Sequence, residues 1–175
     1  EMMAQLGIRD SLVRIDGCSR RNAMFTFPGG MFKLNRPAFP DLREDEWSID
    51  EILAPCIAHG GICILAGSLP PSMPYDTYGL MIRKLRIFGI PAVLDTSGRA
   101  LEAGVAAEPS LIKPNREECS ELLGRVIETA DDFREAVLAL LDKCECVIVS
   151  DGPRGCWFGF RELLSKRVFH GTSAD

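Results

Sequence analysis

Between Gly60 and Gly155 an apolar run ends four times in a cluster of small or polar residues. The runs are residues 62–66, 90–94, 111–113 and 146–150, and the first three are each followed by a helical pattern. They end in Gly67-Ser68, Asp95-Thr96-Ser97-Gly98, Lys113-Pro114-Asn115 and Ser150-Asp151-Gly152. Short continuous apolar runs, as in Ile62-Cys63-Ile64-Leu65-Ala66, are the pattern of buried parallel strands. Strands alternating with helices predict an α/β fold: a doubly wound, mostly parallel sheet with right-handed crossovers.

The punctuation fits that reading. Ser48-Ile49-Asp50-Glu51 reads as a capping box opening a helix to about residue 58. A second helix is expected over 74–88, with Pro74 at its first position and Gly89 as its stop. Others are expected over 99–107, 115–123 and, from a cap at Thr129-Ala130-Asp131-Asp132, to about 143. Two β-like runs, 156–160 and 163–169, follow the fourth strand. The N-terminal part has a different texture. Residues 1–10 read as the end of a helix with Gly7 as C-cap, and β-like runs follow at 12–15, 22–27 and 31–34. Gly17 and Pro28-Gly29-Gly30 separate them as turns, and Pro37 and Pro40 mark a linker. Residues 1–40 are expected to be a partial β region, a lid or flap, and residues 41–175 a partial α/β core.

Open α/β sheets bind ligands beyond the carboxyl ends of their strands. All four polar clusters would lie along that one rim. In the third, Pro114 blocks helix behind it and biases Lys113 towards extended geometry, so Lys113, Asn115 and Glu118 gather at a strand end. A cation, an amide and a carboxylate suit polyphosphate and its magnesium, because Mg²⁺ prefers oxygen ligands and retains water. The plainer reading is a capping box, with Asn115 capping the helix and Glu118 reaching back. Loop chemistry alone accounts for each cluster singly.

Composition removes other classes. The 175 residues are 46% hydrophobic and 26% charged, which is globular and not disordered usage. A net charge of −5 offers no basic footprint for nucleic acid. No apolar run approaches the roughly 20 residues of a membrane span, and the N-terminus lacks signal-peptide order, so no membrane partner is expected. Seven cysteines follow no disulfide or zinc spacing and read as reduced structural thiols in a cytoplasmic protein. The chain has no GxxxxGK[ST], no GxGxxG after a strand and no GxSxG elbow, and its two histidines leave little for a hydrolase triad.

Four segments occur in the order found in ribokinase-like carbohydrate kinases of the PfkB type. They are Ala66-Gly67-Ser68-Leu69-Pro70-Pro71, Leu94-Asp95-Thr96-Ser97-Gly98, Ile112-Lys113-Pro114-Asn115-Arg116-Glu117-Glu118 and Val149-Ser150-Asp151-Gly152-Pro153-Arg154-Gly155. With Ser19-Arg20-Arg21-Asn22, similar to a T-R-x-N lid motif, the chain most resembles the 1-phosphofructokinase and tagatose-6-phosphate kinase subgroup. The resemblance runs from the lid to about Gly155 and implies transfer of the ATP γ-phosphoryl group to a hydroxyl of a sugar phosphate. The implied acceptor is fructose 1-phosphate, giving fructose 1,6-bisphosphate, with tagatose 6-phosphate and fructose 6-phosphate as alternatives. It implies that Arg20 and Asn22 hold the phosphate already on the sugar, a task suited to the guanidinium fork. Ser68 would contact the sugar, and Lys113 the nucleotide phosphates. Asn115 and Glu118 would organise Mg²⁺ through water, and Ser150, Gly152 and Gly155 would line the ATP pocket. Asp95 fits the active rim and a structural turn equally. A homodimer through the lid is also implied, with Phe25, Phe27 and Phe32 either serving there or packing in the core.

The sequence departs from the family in places. Ala66 stands where the first serine of S-G-S-L-P is usual. Asp151 stands at the usually apolar place in V-S-L-G, where it threatens the nucleotide loop. No G-G-K-G/A-x-N precedes Arg20, and the G-A/S-G-D motif with its anion hole and catalytic aspartate has no match; Asp175 is not assigned as the base. The expectation is thus the middle of a kinase, inactive alone and with sheet faces uncovered. From another class, a non-catalytic module binding sugar phosphate or nucleotide would use the same Arg20 and rim loops. A nucleoside or plain-sugar kinase would have no use for Arg20.

Overall fold

The computed structural model describes residues 5–8, 22–35 and 47–172. They fall into two compact units, one within Glu1–Ile52 and Pro70–Met73, the other within Leu53–Leu69 and Pro74–Asp175. The run at 12–15 and the linker prolines Pro37 and Pro40 lie outside the described residues.

In the first unit, β1 (Asn22–Phe27) and β2 (Gly30–Asn35) form an antiparallel hairpin, registered from Asn22↔Asn35 to Phe27↔Gly30. Gly29 turns it at φ 96°, a conformation glycine adopts without steric cost. Met24, Phe25, Phe27, Met31, Phe32 and Leu34 are each more than half exposed. The Phe25 and Phe32 ring centroids lie 6.3 Å apart, tilted by 30°. Of the two roles expected for these phenylalanines, core packing is corrected: they are at the surface.

After α1 (Ile49–His59) the second unit runs β3 (Cys63–Ala66), α2 (Thr77–Ile87), β4 (Ala92–Asp95), α3 (Gly98–Val105) and β5 (Leu111–Ile112). It continues through α4 (Arg116–Leu123), α5 (Ala130–Leu140), β6 (Cys146–Ser150), β7 (Cys156–Arg161) and β8 (Lys166–Gly171). Strand order is β3-β4-β5-β6-β7-β8, with β3 to β6 parallel and β7 and β8 antiparallel. This is the mostly parallel α/β sheet expected, and within the described residues its order advances in one direction.

One lateral row of side chains shows what holds it. Leu65, Leu94, Ile112, Val147 and Gly159 are cross-strand partners, and the four aliphatic members are at most 6% exposed. Each such burial contributes about 2 kcal/mol. Helix α5 supplies Phe133, Ala136, Val137 and Leu140 to the same core, with Phe133 stacked on Trp157 at 5.8 Å. It comes so close that a Cβ on Gly159 would sit 2.6 Å from Val137 Cγ1 and 2.7 Å from the Arg167 carbonyl oxygen.

The adjacent row, Ile64, Val93, Leu111, Cys146 and Phe160, points the other way because successive strand residues alternate faces. Ile64 is 68% exposed and Phe158, two residues before Phe160, is 37% exposed. The expectation that residues 62–66 are a fully buried strand is corrected. Among the described residues β3 stands at the edge of the sheet, and only Leu65 of its side chains lies in the core.

Local boundaries differ for identifiable reasons. Helix α2 starts at Thr77 and not Pro74, because Pro71 to Asp76 form turns in which Thr77 Oγ1 donates to the Pro74 carbonyl at 2.6 Å. Ser48 Oγ accepts from the Asp50 N–H at 3.2 Å, one residue short of the expected box. Leu163 and Leu164 occupy the β7–β8 turn, fully exposed, where the Glu162 N–H donates to the Ser165 carbonyl at 2.8 Å. That run begins at Lys166, not Leu163.

Candidate functional site

Parallel strands β3 to β6 bring the four polar clusters to one rim, and the loops there are fixed from below. After β3, Gly67 sits at φ 92°, and its N–H donates to the Asp95 carbonyl at 2.9 Å. Its carbonyl accepts from Thr96 Oγ1 at 2.8 Å and from the Tyr78 hydroxyl at 3.1 Å. Tyr78 also donates to the Ala66 carbonyl at 3.1 Å. Buried polar groups are costly unless bonded, so these two side chains lock the turn that presents exposed Ser68. Burial pushes the Tyr78 phenol up. Neither Tyr78 nor Thr96 was singled out from sequence: a tyrosine on the apolar face of a helix reads as core.

On the next strand ends, Lys113 Nζ lies 3.3 Å from Asp95 Oδ1, both side chains nearly half exposed. The strands pair just below them, Leu94 with Ile112, and the Lys113 N–H donates to the Leu94 carbonyl at 3.2 Å. An exposed pair of this kind contributes little to stability, so Lys113 is held over the rim without being committed to the fold.

Asn115 caps α4. Its Oδ1 accepts from the Glu118 N–H at 2.8 Å, while Glu118 Oε2 accepts from the Asn115 N–H at 2.9 Å. The capping box is therefore present. Ser150 docks beside it: Asn115 and Ser150 form an isolated parallel bridge, and the Ser150 N–H donates to the Pro114 carbonyl at 3.0 Å. Glu118 also lines a cavity of about 260 Å³ between α3 and α4, with Gly98, Arg99, Glu102 and Glu121. Arg99 stacks 3.9 Å above the Tyr75 ring. A larger groove of about 550 Å³ runs along α4 and the loop after it, from Arg116 to Glu128, and contains none of the expected rim residues.

The loop after β6 is a turn closed by the Asp151 N–H donating to the Gly155 carbonyl at 2.9 Å. Gly152 (φ 56°) and Gly155 (φ 98°) both require glycine geometry. A Cβ on Gly155 would collide with the Gly171 carbonyl oxygen. The threat posed by an acidic residue here is answered locally. Arg154 Nε and Nη2 donate to Asp151 Oδ2 and Oδ1, each at 2.7 Å. The Arg154 guanidinium holds the Asp151 carboxyl below the usual carboxylate range, with Arg116 and His170 adding to the effect.

Lys113, Asn115, Glu118, Ser150, Gly152 and Gly155 thus share one stretch of rim, with Ser68 on the β3 loop. Asn22 opens β1 in the other unit, and Arg20 lies outside the described residues. Among the described residues no three His, Cys, Asp or Glu side chains are grouped to hold a metal directly. The donor set fits a hydrated Mg²⁺ instead: Mg²⁺ keeps several waters and takes one or two carboxylates. Glu118 uses only Oε2 in the cap bond. Burial pushes Cys119 and Cys144 up to about 12, and no helix among the described residues is long and apolar enough to cross a membrane.

Comparison with known proteins gives concordant results. A model of the pfkB family carbohydrate kinases matches residues 7–167. The chain is 32% identical over 157 residues to 1-phosphofructokinase of Vibrio cholerae serotype O1, covering 89% of this chain and 50% of that protein. It is 34% identical over 134 residues to ATP-dependent 6-phosphofructokinase isozyme 2 of Escherichia coli K12, covering 75% and 40%. The structure matches the tetrameric inhibited form of phosphofructokinase-2 from Escherichia coli with TM-score 0.74 and 26% identity, over 95% of this chain and 56% of that one. The chain spans about half the length of the curated relatives it matches.

Proposed function

The chain belongs to the pfkB family of carbohydrate kinases, and on that premise we propose that its rim binds MgATP for phosphoryl transfer to fructose 1-phosphate. The observation that carries this reading is the Asn115–Ser150 bridge. It joins the capped α4 N-terminus, two residues after Lys113, to the strand end that leads into the glycine loop. Backbone N–H groups of loops and a lysine are what phosphates require.

In the proposed reaction a sugar hydroxyl oxygen attacks the γ-phosphorus, the bond to the ADP oxygen breaks, and the hydroxyl proton leaves to a base. No residue of this chain is assigned as that base. Lys113 neutralises phosphate charge, at the cost of its weak pairing with Asp95. Ser150, Gly152 and Gly155 let the nucleotide approach backbone. Bound Mg²⁺ supplies charge neutralisation on the phosphates, and Glu118, oriented by Asn115, positions its waters. Ser68 contacts the sugar, and Arg20 and Asn22 hold its phosphate, the lid being residues 1–40. A cytoplasmic location belongs to the same reading.

Fructose 1-phosphate is preferred on the similarity to the Vibrio 1-phosphofructokinase; the Escherichia relative favours fructose 6-phosphate as the second reading. Initial rates with fructose 1-phosphate, fructose 6-phosphate and tagatose 6-phosphate, on the protein as its gene encodes it, decide between them. The first is expected to have the highest kcat/KM. A sensor that binds nucleotide or sugar phosphate without turnover is the outcome that retires the enzymatic reading.

Self-association through the lid is part of the proposal. The β1–β2 hairpin exposes six large apolar side chains, and contiguous exposed apolar surface marks interaction sites. A Phe25→Lys/Phe32→Lys variant is expected to shift the protein to monomer in sedimentation velocity. An unchanged sedimentation coefficient would remove the lid from the interface.

A further inference from the structure

Asp151 is an acidic residue on a loop assigned to an anionic ligand, and the Arg154 fork donates to both of its carboxylate oxygens. Its side chain is only 7% exposed, whereas that of Arg154 is 60% exposed. The pair spans the turn whose backbone closes from Asp151 to Gly155. His170 Nε2 lies 3.2 Å from the Arg154 carbonyl oxygen, tying the turn to β8. Charges facing Asp151 come from more than its own loop: Arg116 on α4 and His170 on β8 favour its ionised form. Glu117 on α4, paired with Arg116 at 2.9 Å, feels it as a like charge.

We propose that the Asp151–Arg154 pair is a charge-compensated latch that shapes the Ser150–Gly155 loop and keeps the Asp151 charge from repelling nucleotide phosphates. This rests on the nucleotide reading of the rim given above. Arg154 and Asp151 are positioning residues: they act through the loop backbone and through the local potential, and neither is assigned contact with the reacting atoms. The two partners are not equivalent. Removing Arg154 leaves the Asp151 carboxylate without its partner at a phosphate site, while removing both leaves a neutral turn. The fork also needs arginine, since an ammonium offers a point charge without two parallel donors.

The test compares the wild type with Arg154→Gln and Asp151→Asn/Arg154→Gln, first by hydrogen exchange without nucleotide, then by titration with ATP and with adenosine. The latch predicts faster exchange at the Asp151 and Gly155 amides in Arg154→Gln. It also predicts about tenfold weaker ATP binding in that variant from the uncompensated charge, with adenosine binding unchanged. In the double variant ATP affinity returns towards the wild-type value. A uniform loss of ATP and adenosine binding, or no rescue in the double variant, overturns the electrostatic role. Exchange at those two amides that does not change overturns the latch whatever the nucleotide does. If the wild type binds no nucleotide, the rim reading fails instead, and the exchange result still decides whether the pair shapes the loop.

Discussion

Gly155→Ala is expected to destabilise the protein by about 3–5 kcal/mol and to abolish measurable ATP binding. Two causes act together. At φ 98° the backbone is in a region L side chains rarely adopt, and the new methyl would collide with the Gly171 carbonyl oxygen. That oxygen belongs to β8, so relief requires either the turn or the strand to move. Moving the turn breaks the Asp151–Gly155 bond that shapes the loop proposed to bind nucleotide; moving the strand loosens β8 on β7. The urea midpoint and an ATP titration read the two consequences separately. A variant with wild-type midpoint and affinity would show that the close approach at Gly155 is unimportant.

The second large effect falls on catalysis and separates the cap that Glu118 makes from the magnesium role proposed for it. Its Oε2 accepts from the Asn115 N–H as half of a capping box, and its carboxylate charge is assigned to the hydrated magnesium. Glu118→Gln keeps an acceptor for the cap but removes the charge, whereas Glu118→Ala removes both. The glutamine variant is expected to lose under about 1 kcal/mol of stability. Its transfer rate should nevertheless fall about a hundredfold, the scale found when one preorganised electrostatic group is removed, with a higher magnesium requirement. Glu118→Ala should lose the same activity and further stability. If Glu118→Gln turns over at the wild-type rate with unchanged magnesium dependence, Glu118 is a cap and nothing more.

Much of this was legible in the sequence because it is locally encoded. The box at Asn115 and Glu118, the stop at Gly89 and the hairpin around Pro28-Gly29 depend on residues within a few positions of each other. The ordered rim motifs likewise carried the family. Pairings across strands were less visible. Nothing near Lys113 in sequence points to Asp95, and nothing near Gly67 points to Tyr78 and Thr96. Hydropathy also cannot distinguish a strand covered on both faces from one covered on one. Ile64 and Leu65 are adjacent and equally apolar, yet one is 68% and the other 6% exposed. Leu163 and Leu164 show the same limit: apolar in composition, they form a turn because Glu162 and Ser165 close it. Asp151 was noticed as a departure, and its i+3 arginine was the available signal that it is compensated.

The central claim is that this rim serves ATP-dependent transfer to a sugar phosphate. Its most direct test is to incubate the protein, as its gene encodes it, with Mg²⁺, ATP labelled in the γ-phosphoryl group and fructose 1-phosphate. The account predicts label in fructose 1,6-bisphosphate, dependent on Mg²⁺ and lost in Gly155→Ala. Label that stays in ATP with fructose 1-phosphate, fructose 6-phosphate and tagatose 6-phosphate alike would contradict it.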